Sequence, residues 1–242
     1  MKLTRTALLT AITLSLGAPL HAATAVVAGT SESTVNKSIT VSDGIEAKDV
    51  ESVNGSIRIG DNASVRSAET VNGSIRFGRD ARTGDAETVN GRIQAGDGFV
   101  AEGDLETVNG SIELGRGATV NGSIESVNGS IELDNARVGR HISLVNGTVD
   151  ARATQIGGDL TTVNGTIELL SGTVLAGDLI VKKPNHSGWN WGSRKGPTLV
   201  IGANSEVRGT IRVENENTKL YVDPTAKVGA IEGIEAETRA ER

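Results

Sequence analysis

Cysteine is absent from this chain of 242 residues. Neither a disulfide nor a thiol-linked lipid is available, so a folded state must rest on packing. Aromatic residues are scarce, at 2%. A thick globular core built around rings is therefore not expected. The same scarcity argues against a sugar-cleaving solenoid enzyme, which needs rings to stack on its substrate. An excess of basic charge is also missing: the formal net charge is −6, which argues against nucleic acid as a partner. Only three histidines occur, His21, His141 and His186, which leaves little material for imidazole chemistry.

What the chain has in quantity is glycine, 31 residues, and a beat. Val-Asn-Gly recurs with its asparagines at Asn54, Asn72, Asn90, Asn109, Asn121, Asn128, Asn146 and Asn164. With Asn121 set aside, the steps are 18, 18, 19, 19, 18 and 18 residues, and Val35-Asn36-Lys37-Ser38-Ile39 adds one more step upstream. A short fixed period signals one supersecondary unit stacked many times. Asn121 falls inside a period and reads as a sister strand that carries the same corner sequence.

Counting from each asparagine, an aliphatic residue stands at +3 (Ile57, Ile75, Ile93, Ile112, Ile131, Val149, Ile167) and an apolar one at +5 (Ile59, Phe77, Ala95, Leu114, Leu133, Ala151, Leu169). Polar residues such as Arg58, Arg76 and Glu132 separate them, which is the alternation of a strand with one buried face. Further apolar positions come near +8 to +11, as Ala63 and Val65 or Ala136 and Val138, and near +14, as Ala68, Ala86, Ile142 and Leu160. No 3.6-residue pattern appears. The expected fold is all-β: a single-chain parallel β-solenoid of about 18 residues per coil, with three short strands per coil. Asn-Gly suits its corners, since both residues tolerate positive φ. The asparagines Asn54, Asn72, Asn90, Asn109, Asn128, Asn146 and Asn164 are expected to stack as a structural side-chain ladder. Asn-Gly-Ser is formally a glycosylation triplet, but corner geometry accounts for it fully.

The organisation follows. Residues 1–22 read as a secretory signal: Lys2 and Arg5 start it, Ala7 to Leu20 is apolar but short for a membrane span, and small residues follow. Cleavage is placed after Ala22, with Ala23 and Ala25 as alternatives; the loss of two basic residues takes the formal charge to −8. Residues 23–34 read as a linker, 35–233 as the solenoid with an inserted loop at 182–197, and 234–242 as a charged tail. The expected location is the periplasm, with the cell surface or secretion as alternatives.

Segments such as Ala118-Thr-Val-Asn-Gly-Ser-Ile124, Gly157-Gly-Asp-Leu-Thr-Thr-Val-Asn-Gly-Thr-Ile167 and Ala203-Asn-Ser-Glu-Val-Arg-Gly-Thr-Ile211 resemble bactofilins. The repeated Glu-Thr-Val-Asn-Gly-Ser-Ile is also similar to exported β-strand-repeat proteins grouped as candidate adhesins. The resemblance spans residues 35 to about 231. It implies a right-handed β-helix and, for bactofilins, polymer formation. The export signal departs from the cytoplasmic habit of bactofilins and points to a scaffold outside the inner membrane.

Chemistry is thinly spread. Hexapeptide-repeat acyltransferases share the 18-residue coil and use a histidine, but here His141 stands beside Arg140 with no recognisable partner, and the strict six-residue apolar repeat is missing. The chain is therefore read as non-enzymatic, with no catalytic, cofactor or metal residues. Glu51, Glu69, Glu87, Glu106 and Glu125 recur three residues before the asparagine and should form one column. Unit charges ~4.8 Å apart repel by about 0.9 kcal/mol in bulk water and about 3.5 at an effective dielectric of 20. That column must be solvated, paired or bridged by cations; the calcium-binding nonapeptide is absent. The inserted loop holds both tryptophans, Trp189 and Trp191, with Lys182, Lys183, His186, Arg194 and Lys195. Such a loop suits an envelope component, a glycan or an acidic partner; alternatively its rings cover an apolar flank. The leading expectation is an exported scaffold that self-assembles by end-on pairing of coils, and the alternative is an adhesin-like module binding through loop 182–197.

Overall fold

The structure is a computed structural model and describes residues 23–184 and 196–240. The chain forms a parallel β-solenoid of about 11 turns, roughly 18 residues apart. Among the described residues there is no helix, and hence none long and apolar enough to cross a membrane. At ~4.8 Å per turn the rod is about 50 Å long.

Register repeats without slippage. Ile57 pairs with Ile39 and Ile75, Ile112 with Ile93 and Ile131, and Ile167 with Val149 and Leu199. The +3 and +5 residues point into a single continuous core, as the alternation demands. Ile57, Ile75, Ile93, Ile112, Ile131 and Ile167 are fully buried. Ala63, Val65, Ala136 and Val138 line the second face of the core, and Ala68, Ala86, Ile142 and Leu160 the third. Small residues keep the cross-section narrow. Phe77 and Phe99 meet within it, with ring centroids 4.7 Å apart.

The Val-Asn-Gly segment has a different logic from the one its composition suggests. Asparagine amides do form a ladder: each Nδ2 donates to the Oδ1 one turn earlier, from Asn54 onto Asn36 at 3.0 Å up to Asn164 onto Asn146 at 3.2 Å. None of these asparagines has positive φ, and of the glycines that follow them only Gly147 does. Those glycines are required by close approach instead. A Cβ on Gly73, Gly91, Gly110 or Gly129 would overlap the carbonyl oxygen of the residue-equivalent glycine one turn below. The residue two before each asparagine faces inward: a threonine at Thr70, Thr88, Thr107 and Thr162, a serine at Ser52 and Ser126, and Leu144. Thr70 and Thr88 donate to the carbonyls of Gly55 and Gly73, at 2.9 and 3.0 Å, so the hydroxyl is buried with its hydrogen bond made. The valine between them faces out and is only half covered, as at Val53, Val71 and Val89.

The left-handed corner lies elsewhere, in the column Gly44, Asn62, Asp80, Gly98, Gly117, Asn135, Ala153, Ser171 and Asn204, whose φ values run from 48° to 71°. Asn121 belongs to neither column. Val120 pairs with Ala101 and Val138 on the second face, and the Asn121 amide donates to Glu102 at 2.7 Å.

The solenoid reaches beyond the stretch 35–233. Thr24–Ala25 pairs with Ile39–Thr40 and Glu32–Thr34 with Val50–Ser52, so the segment read as a linker is already part of the stack. At the other end Ala236–Thr238 pairs with Leu220–Val222, and the Arg239 guanidinium sits 5.2 Å from the Tyr221 ring centre. The charged tail thus supplies a strand. The signal assigned to residues 1–22 lies outside the described residues.

Two substitutions test this packing. Ile131→Asp places a charge in a fully buried column and should destabilise the rod by at least about 3–5 kcal/mol. Ser130→Ala, half exposed next to it, should stay within about 0.5 kcal/mol. Equal thermal midpoints for the two would refute the register. Gly110→Ala should also cost more than about 2 kcal/mol, because the obstacle is backbone that cannot turn aside. Gly117→Ala, which meets open space, should cost about 1 kcal/mol through its positive φ.

Candidate functional site

One outer face carries the ionisable columns. Its strands place Glu51, Glu69, Glu87, Glu106 and Glu125 in direct register. Two residues upstream, on the same face, runs a second column that includes Asp49, Ser67, Asp85, Asp104, Ser123, His141, Asp159 and Asp178. Alternation along each strand explains why both columns point out. The second column also ties one turn to the next. The backbone N–H of Asp104 donates to Asp85 Oδ1 at 2.9 Å, that of Ser123 to Asp104 Oδ1 at 2.7 Å, and that of Asp178 to Asp159 Oδ1 at 2.8 Å.

The glutamates have no such outlet. Partial burial, then its neighbours Glu106 and Glu69, push Glu87 up to about 7. Burial and then Glu51 raise Glu69, and burial and then Glu125 raise Glu106. At neutral pH Glu87 is partly protonated, so the middle of this column sheds part of its repulsion. In the neighbouring column, by contrast, a bidentate contact from Arg66 lowers Asp49.

His141 stands beside the last residue of the glutamate column, and the expectation that it lacks a partner is overturned. Its Nε2 lies 3.1 Å from Glu125 Oε1 and its Nδ1 3.1 Å from Ser123 Oγ. Both partners are one turn away, Glu125 at a separation of 16 residues and Ser123 at 18, so the period itself was the signal that pointed to them. A serine, an imidazole and a carboxylate invite comparison with nucleophilic catalysis. Here Ser123 is 2% exposed, and both it and His141 immediately precede strands, at Ile124 and Ile142. A substrate carbonyl cannot reach that hydroxyl from the solvent side. The trio acts as a cap: beyond it, Ser143 follows Glu125 in register and the run of carboxylates ends.

A shallow trough of about 350 Å³ opens on the second face over Gly139 and Gly157, with Arg137, Gln155 and Arg208 on its rim. Missing side chains make the hollow. Arg208 is held by Glu206 at 3.2 Å, so only Arg137 offers an uncommitted charge there. No group of three or more metal-ligating side chains occurs among the described residues.

Of the loop assigned to partner binding, Lys182 and Lys183 are described; His186, Trp189, Trp191, Arg194 and Lys195 lie outside the described residues. The loop stands where the next Asn-Gly corner would fall, and the strands on either side of it, Leu179–Val181 and Thr198–Ile201, both pair with Leu160–Leu170. It is anchored at its base by the Lys183 N–H on Glu214 at 3.1 Å. No family model, curated protein or solved structure matches this chain.

The raised carboxylates set a pH dependence. Glu87 binds its proton more tightly folded than unfolded, since about 7 lies above the ordinary value of 4.5. Folding is therefore favoured while the group is protonated, and stability falls as pH rises from about 4.5 through about 7. The thermal midpoint should be higher at pH 5.5 than at pH 8, and Glu87→Gln should raise it at pH 8 by the equivalent of about 1 kcal/mol while leaving pH 5 nearly unchanged. A midpoint for Glu87→Gln below wild type at pH 8 would contradict the repulsive column. For the loop, deleting residues 184–196 should leave the β-sheet circular dichroism intact, because both flanking strands keep their partners; loss of that signal would show the loop to be part of the core.

Proposed function

We propose that this chain is a non-enzymatic, exported structural protein, a self-assembling scaffold of the cell envelope that works in the periplasm. One observation carries the reading: the turns at the two ends of the stack have strands paired on one side only, and at the C-terminal end the core is incompletely covered. Val228, Ile231 and Ile234 are half exposed there, whereas their counterparts inside the rod, such as Val207 and Ile211, are buried. At the other end Val26 closes over Ile39 and Val41, which are fully buried. Among the described residues the C-terminal turn thus leaves more of its apolar side chains partly exposed. Half-paired strands template further pairing, and an end that seats on the opposite end of another copy propagates without closing. The resemblance of the repeats to bactofilins and the signal-like residues 1–22 support polymer formation and export.

A second reading, an adhesin-like or glycan-binding module, is favoured by the position of the loop at 182–197. It leaves the stack between intact strands and carries lysines at its base. Trp189→Ala with Trp191→Ala should abolish any such binding and spare the fold.

Electron microscopy of the purified chain starting at Ala23 tests the first reading. Filaments that disappear in Ile231→Lys with Ile234→Lys, while circular dichroism is retained, are the expected result. Isolated rods from the wild type at high concentration would overturn end-on assembly and favour the binding module.

A further inference from the structure

The face formed by the +3 to +5 strands carries a pattern of charge that the end-on reading does not use. Its outward central residues stack in the order Thr40, Arg58, Arg76, Gln94, Glu113, Glu132, Asp150 and Glu168. Basic charge lies toward the N-terminal end and acidic charge toward the C-terminal end. Among the described residues, Arg58, Arg76, Glu132 and Glu168 make no ion pair. Like charges sit one strand spacing apart within each half, where each repels its neighbour by about 0.9 kcal/mol even in water. Within one rod Arg92 reaches Glu113 at 3.2 Å and Arg152 reaches Asp150 at 2.9 Å, but among the described residues nothing relieves Arg58, Arg76, Glu132 and Glu168.

A second copy does. Turn a copy over about an axis lying in the face and parallel to the strands. Its solenoid axis reverses, its strands keep their direction, and each row meets its own mirror order. With the axis between Gln94 and Glu113, Arg58 faces Asp150, Arg76 faces Glu132, Gln94 faces Glu113 and Thr40 faces Glu168. The eight rungs match as four pairs, used twice. Neighbouring rows fit as well. The row two residues on has Gly60 and Gly78 opposite Arg152 and Asp134, so bulk meets the absence of bulk. The row two residues back is mostly small and hydroxylic, with Ser56, Ser74, Ser111, Ser130, Thr148 and Thr166, and is interrupted by Arg92, which reaches Glu113 at 3.2 Å.

We propose that this face is a docking surface for a second copy of the same chain, joined side by side and antiparallel through Arg58 and Arg76 of each copy against Asp150 and Glu132 of the other. The contact is isologous and closes as a dimer. It is independent of end-on assembly, and together the two contacts would make paired, non-polar filaments. Electrostatic complementarity of this kind fixes register and suppresses the parallel arrangement, which would set Arg58 and Arg76 against themselves.

The test uses two variants of the chain starting at Ala23. Arg58→Glu with Arg76→Glu makes the column acidic throughout, and Glu132→Lys with Asp150→Lys makes its charged rungs largely basic. Both carry Ile231→Lys and Ile234→Lys, so that end-on growth does not obscure the result. Sedimentation at low salt should show a dimer for the parent, weakened by about tenfold or more in each variant alone. Mixing the two variants should restore it as a heterodimer. Circular dichroism checks that each is folded. Should the lysine variant fail to fold, Arg58→Glu with Arg76→Glu and the salt dependence of the parent decide the matter, since screening must dissolve a contact held by these pairs. A parent that stays monomeric, or a dimer indifferent to the charge reversals, overturns the proposal and leaves the end-on reading untouched.

Discussion

Everything in this molecule answers to one distance, the ~4.8 Å between a residue and its counterpart one turn away. Backbone hydrogen bonds between turns fix it, and each side chain must then tolerate a near-copy of itself at that range. Four solutions are visible in one repeat. Isoleucine stacks on isoleucine and excludes water. Asparagine donates and accepts along its own column. Threonine turns inward and satisfies a glycine carbonyl. Glycine removes the side chain where the turns close up. Glutamate is the residue type with no such answer, and it alone shows a column of carboxyls displaced upward as a group.

That constraint also explains which parts of the fold could be read in advance. The core positions alternate within a few residues, so Ile57, Ile59 and their repeats announced their burial locally. The ladder of asparagines followed from the period alone. The reason for glycine did not: close approach involves a residue 18 positions away, and the local signal of Asn-Gly points to a left-handed corner that in fact lies at Asn62, Asp80 and Asn135. The outward valines at −1 read as apolar and carry no mark of their exposure. Ala236–Thr238 could not be foreseen as a strand, since nothing there repeats; it is held by the edge it meets. The partners of His141 were legible in principle, because subtracting one period from its number lands on Ser123.

For the candidate sites the same division holds. A solenoid brings together residues one period apart, so its faces can be written down as columns once the register is known. Loop 182–197 is the exception, an insertion that breaks the rule and whose placement no column dictates. Its chemistry remains a matter of composition, two tryptophans among basic residues, while the faces of the rod carry chemistry of position.

The two charged columns make opposite use of that position. The glutamates from Glu51 to Glu125 share one sign along their length, and the strain is met by protonation in the middle and by His141 at the end. Protonation is a local remedy and needs no partner. The column from Arg58 to Glu168 changes sign halfway. Arg92 and Arg152 answer Glu113 and Asp150 from within the rod; Arg58, Arg76, Glu132 and Glu168 are answered by opposite charge brought from outside, in reversed order and at the same spacing. A turned copy of the rod supplies both the order and the spacing without further design, because the period that stacks one chain is the period that must match in the other.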